Sequence, residues 1–192
     1  MPPLVLSLAL LWTPSALAAA PAIDQGGVGT LRLGRPVPKA LLEGGEAAQR
    51  YATTFYADAQ PLEGFRLLDP PVFAVVSGGP FAKWGYAHPG KPAPERVKKQ
   101  AVKRALAGKL VVEMLVVTSA ELTTAAGLKV GSTFAEVRAA LEGAKITHLP
   151  GLWEEPTCLV RDGTIAYFFK CRGREPLAEA SPVIRIVVRD WK

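Results

Sequence analysis

The segment Gly127-Leu128-Lys129-Val130-Gly131-Ser132-Thr133-Phe134-Ala135-Glu136-Val137-Arg138-Ala139-Ala140-Leu141-Glu142-Gly143 sets a helix signal directly behind an apolar-basic-apolar triplet. Ser132 or Thr133 can accept from the free backbone N–H groups of a first helical turn, and Glu136, three residues past Thr133, completes a capping box. Thr133 is therefore the expected N-cap. Phe134, Val137, Ala140 and Leu141 fall on one apolar stripe, and Gly143 offers the left-handed residue that ends a short amphipathic helix.

Laid beside it, Thr30-Leu31-Arg32-Leu33-Gly34-Arg35-Pro36-Val37-Pro38-Lys39-Ala40-Leu41-Leu42-Glu43-Gly44 repeats the order of features: triplet, Gly, a helix start suited to proline, and a closing Leu-Glu-Gly. Each copy is followed by β-rich runs. Gly64–Leu68, Val72–Val76 and Val111–Val117 follow the first; Thr157–Val160, Thr164–Phe169 and Val183–Arg189 follow the second. Asp162-Gly163 is the expected two-residue hairpin turn, and Asp69-Pro70-Pro71 separates the first pair of strands.

From motif to closing strand the first half runs about 85 residues and the second about 60, so an insertion of roughly 25 residues is expected in the first. It falls near 88–109. There a Pro/Gly lead-in precedes a helical pattern with Val97, Ala101 and Ala105 on its apolar side, Val102 and Leu106 flanking, and Gly108 as stop. The pattern predicts an α+β protein of two related halves, 23–119 and 120–192, each a short helix packed on an antiparallel sheet.

With Gly131-Ser132-Thr133-Phe134-Ala135-Glu136-Val137 and Leu141 as its main carriers, and Gly34 to Leu42 as a second copy, the chain resembles the periplasmic modules of the SmpA/OmlA outer-membrane assembly lipoproteins. It is also similar to the duplicated β-lactamase-inhibitor-protein fold. The resemblance implies a non-catalytic protein acting through its sheet or loops in the cell envelope.

The uncharged run Leu4–Trp12, interrupted by Pro14, is too short for about 30 Å of hydrocarbon and reads as the apolar core of a signal peptide over 1–22. Ala18 and Ala22 mark the cleavage sites, an uncleaved anchor being the alternative, and with no Cys after the run a lipid-modified N-terminal Cys is not expected. After cleavage no transmembrane anchor is expected, and the compartment is periplasmic or secreted. In an oxidising compartment Cys158 and Cys171, the two cysteines of the chain, are expected to form a disulfide. A regular hairpin turning at Asp162-Gly163 opposes this: it sets Cys158 across from Tyr167 and leaves Cys171 roughly 13 Å away, so the chain beyond Phe169 must curl back.

The formal charge of +6 favours anionic partners. Arg96, Lys98, Lys99, Lys103 and Arg104 form the densest basic cluster, which reads either as a solvated helix face or as a surface for an acidic protein or an anionic envelope surface. Nucleic acid is not an expected partner, because no aromatic residues interleave with these cations. His88 and His148 accompany no GxSxG elbow and no visible Cys partner, so both read as structural, with no catalytic residue, metal or cofactor expected. Glu154-Glu155 fits an exposed loop; Trp84 and Trp153 read as core or as binding platforms. The expected role is that of an exported non-catalytic binding or envelope-structural protein. An exported hydrolase-type enzyme and an inhibitor of a secreted enzyme are the alternatives, and oligomeric state stays open.

Overall fold

A computed structural model describes residues 22–43, 46–55, 61–143, 145–153, 155–171 and 175–191. Apart from Ala22, the expected signal segment lies outside the described residues, as do Gly44 and Glu154. The chain is α+β. Three two-residue strands come first, β1 (Ile23–Asp24), β2 (Gly27–Val28) and β3 (Leu31–Arg32), then a 3-10 turn at Lys39–Leu41 and α1 (Ala47–Arg50). β4 (Tyr51–Phe55), β5 (Pro61–Leu67) and β6 (Val72–Ser77) follow, and α2 (Phe81–Ala87) and α3 (Glu95–Leu106) separate β6 from β7 (Val111–Val117). After α4 (Phe134–Ala140) come β8 (Ile146–Trp153), β9 (Glu155–Asp162), β10 (Ile165–Lys170) and β11 (Arg185–Arg189).

β1–β3 form a small antiparallel sheet, and the other eight strands form one antiparallel sheet in the order β4-β5-β6-β7-β11-β10-β9-β8. It consists of two four-strand meanders that meet through their last strands, Val116 of β7 pairing with Val187 of β11. The pair α2 and α3 occupies the link between third and fourth strands of the first meander; the corresponding link of the second is 171–184.

Alternation along the strands divides the core between the two sheet faces. Tyr167, Phe169, Ile186, Phe65 and Leu115 belong to the main cluster, which also takes in the apolar sides of α3 and α4. Ala166, Phe168, Val187, Leu159 and Met114 form a second cluster on the opposite face. Central strands such as β10 are thus buried on both sides, Ile165 through Phe169 included.

α4 begins as its sequence dictates. Thr133 Oγ1 accepts from Glu136 N at 3.3 Å, Thr133 N donates to Glu136 Oε2 at 2.6 Å, and Phe134 and Val137 are buried. The apolar stripe ends there, with Ala140 exposed and Leu141 half-buried. α3 likewise buries Val97, Ala101 and Ala105. The matching helix expected after Gly34 is only the 3-10 turn, closed by Leu42 N donating to Lys39 O at 2.8 Å. Its N-cap is Pro38, which has no side-chain acceptor for the unpaired first-turn N–H groups that Thr133 satisfies in α4.

The second hairpin turns one residue later than Asp162-Gly163. Asp162 pairs with Ile165, so the two turn residues are Gly163 and Thr164. A two-residue hairpin of type II′ needs positive φ at its first turn residue, and Gly163 holds φ 58°. Gln25 braces the turn from the first small sheet: its Oε1 accepts from Thr164 N at 2.7 Å and its Nε2 donates to Asp162 O at 3.0 Å. The segment around β1 thereby bonds to the second meander, and Ile23 N also donates to Thr123 O at 2.9 Å. The shifted register places Cys158 opposite Phe169 rather than Tyr167. Cys171 is then two residues beyond its partner position, and the Cys158–Cys171 disulfide forms with a Cα–Cα distance of 5.7 Å. No helix among the described residues is long and apolar enough to cross a membrane.

Candidate functional site

The link between β6 and β7, which includes the expected insertion 88–109 and also α2, builds a concavity. β6 ends at Ser77, Gly78 turns the chain with φ 78°, and Gly79 passes over Glu63 of β5 so closely that a Cβ on it would lie 1.5 Å from Glu63 Oε1. A side chain there would have to displace the Glu63 carboxyl, which glycine at position 79 leaves in place. α2 then settles onto β5 through Phe81 and Gly85, both buried, with Gly85 against Pro61. α3 lies beside it, and a cleft of ≈ 800 Å³ opens between the two helices.

Lys83, Trp84 and His88 face this cleft from α2 and its end, and Arg96, Gln100 and Arg104 face it from α3. The last three are four residues apart, so they share one helical stripe. No carboxylate lines the cleft among the described residues. Trp84 and His88 stack with ring centroids 4.6 Å apart and planes 11° from parallel. His88 Nδ1 lies 2.9 Å from Trp84 O, and since a carbonyl only accepts, Nδ1 is the donor of this bond.

Beneath the floor sits Glu63, 4% exposed. Tyr51 Oη donates to its Oε2 at 2.6 Å and Phe81 N donates to the same oxygen at 3.2 Å. Burial pushes the Glu63 carboxyl above the usual carboxylate range, a shift that these two donors and the nearby Arg104 charge reduce. Arg104 lines the cleft while its charge acts on the buried carboxyl group, and its buried Nε has no hydrogen-bond acceptor among the described residues.

The five residues of the basic cluster are spread over more than one side of α3. Arg96 and Arg104 face the cleft. Lys99 lies on the other flank of α3 with Val102 and Leu106, against Leu42 and Ala47. Lys98 reaches Glu95 at 3.8 Å, and Lys103 is exposed. Lys83 and Gln100 were not singled out by sequence, because nothing local pairs α2 with α3. Trp84 is half-buried at the cleft wall and so combines the core and platform readings. Glu155 begins β9 instead of sitting in a loop.

His148 differs from its expected isolation. The β8–β9 register sets it opposite Cys158, and its Nδ1 lies 3.2 Å from Cys158 Sγ. Ten residues of separation hid this neighbour from a reading based on motif spacing.

No protein-family model matches the chain, and no curated protein matches it significantly. Among solved structures it is similar to the uncharacterized protein YfeY from Escherichia coli, at 14% identity and a TM-score of 0.46, over 88% of this chain and 99% of that one.

Proposed function

We propose that this chain is an exported, non-catalytic binding protein that docks on an anionic lipid surface of the cell envelope through α2 and α3. The observation that carries the reading is the composition of that helix pair. Lys83, Arg96 and Arg104 meet in a cleft that no carboxylate lines among the described residues, and Tyr86 of α2 is a large side chain 67% exposed, while Leu106 (38%) is on the flank of α3 away from the cleft. Cations that neutralise headgroup phosphates beside apolar side chains that enter the headgroup layer are the two components of interfacial binding. Trp84 adds an amphipathic wall suited to that depth.

Export rests on the signal-like run Leu4–Trp12 and on the Cys158–Cys171 disulfide, a bond that persists in oxidising compartments. The likeness to the duplicated SmpA/OmlA and β-lactamase-inhibitor-protein modules draws support from the paired meanders and from positive φ at both motif glycines, Gly34 (69°) and Gly131 (93°). Co-sedimentation with phosphatidylglycerol vesicles tests the reading. Binding is expected to exceed that to phosphatidylcholine vesicles, and the Lys83→Gln/Arg96→Gln double variant to lose more than about tenfold, each cation near such a surface being worth about 1 kcal/mol. Equal affinity for neutral vesicles, or binding only to an acidic protein, overturns it.

A further inference from the structure

Cys158, Cys171 and His148 occupy one end of the second meander, away from the cleft helices in sequence and brought together by strand register alone. His148 and Cys158 are cross-strand partners of β8 and β9, Cys158 pairs with Phe169 of β10, and Cys171 follows two residues later. One nitrogen and two sulfurs result, all within 4.8 Å of one another. A tetrahedral zinc ion holds sulfur at about 2.3 Å and imidazole nitrogen at about 2.0–2.1 Å, which places such donors roughly 3.5–3.8 Å apart. The 3.2 Å between His148 Nδ1 and Cys158 Sγ is already close to that spacing.

We propose that reduction of the Cys158–Cys171 disulfide creates a zinc site from His148 and the two thiolates, so that metal binding by this protein is gated by its thiol state. A dithiol reductant supplies two electrons and two protons: its own sulfurs become a disulfide as the Cys158–Cys171 bond breaks to two thiols. Zinc then displaces both protons, forming two Zn–S bonds and one Zn–N bond, with the fourth position left to water. In the oxidised chain neither sulfur is a thiolate, and His148 alone remains as a ligand. The burial pattern suits the task. Cys158 is fully buried and shields one side of the ion, Cys171 is half-buried, and His148 is exposed and gives the ion its way in. Borderline-soft Zn²⁺ fits this mixed sulfur and nitrogen set, whereas Mg²⁺ and Ca²⁺ require oxygen donors.

The test uses the full chain, reduced with a phosphine and desalted without oxygen, and titrated with Co²⁺ as the spectroscopic substitute for zinc. One equivalent is expected to produce thiolate-to-cobalt charge transfer and the visible bands of a tetrahedral ion, with Zn²⁺ displacing it. The unreduced chain is expected to show neither, and reduced His148→Ala to bind at least tenfold more weakly, a ligand costing no less than the 10–100-fold of an outer-shell partner. Circular dichroism follows the fold throughout. Absence of the charge-transfer band, equal binding by the His148→Ala chain, equal binding by the oxidised chain, or loss of the fold on reduction each overturns the proposal.

Discussion

Tyr51 donates a 2.6 Å hydrogen bond to Glu63, tying β4 to β5 through a carboxyl group buried under α2. The two residues are diagonal neighbours, since Tyr51 pairs directly with Phe65, whose ring it meets edge-on at 5.4 Å. Burial and this bond push the Tyr51 phenol well above its ordinary range, so it remains a donor at all physiological pH. The pair lies beneath Gly79, which lines the cleft, and stability and cleft geometry are consequently linked.

Because Glu63 has a higher pKa in the folded chain than the ordinary 4.5, the native state holds its proton longer than the unfolded state does. That contribution is full below about 4.5 and is lost as pH rises through the raised value. Glu63→Gln keeps an acceptor for Tyr51 and the Phe81 N–H but cannot ionise. Urea midpoints from pH 4 to 8 should show the parent chain losing stability relative to Glu63→Gln as pH rises. A difference between the two that does not change with pH contradicts this assignment.

Gly79→Ala is expected to destabilise the fold by about 1–3 kcal/mol, the usual range for overpacking, because its methyl group would occupy the position of the Glu63 carboxyl. In the Gly79→Ala/Glu63→Ala double variant the obstacle is gone. The combined loss should fall short of the sum of the single losses, and strict additivity in a denaturation cycle would show that the two residues do not compete for the same space.

At the start of α4, Thr133→Ala removes the side-chain half of the capping box and should cost about 1 kcal/mol, while Thr133→Ser should cost little. Thermal melts compare them directly. Equal midpoints for the alanine and serine variants would mean that the hydroxyl bond contributes nothing.

Arg96→Gln and Lys98→Gln remove the same charge two residues apart on α3. Arg96 lines the cleft, whereas Lys98 is turned to Glu95. Binding to phosphatidylglycerol vesicles should therefore weaken more in Arg96→Gln than in Lys98→Gln. Identical effects would indicate a diffuse response to net charge and no defined cleft.

Local chemistry alone determined the parts of this protein whose causes lie within one or two turns of chain. Thr133 and Glu136 cap α4, Val97, Ala101 and Ala105 make the buried side of α3, and the β-branched runs at 72–76 and 111–117 are strands, because capping, helical period and β propensity act between near neighbours. Tertiary structure decided what depends on register and on approach from a distance. Gly163 took the first position of its turn and Gln25, remote in sequence, braced it; that single-residue shift brought Cys171 within reach of Cys158. Lys83 joined Arg96 and Arg104 only because α2 packs beside α3, and Glu63 became a buried carboxyl only because Gly79 lets the chain cross it. A strand that slips by one residue exchanges its faces, and composition carries no term for that choice; the contacts of the folded sheet supply it.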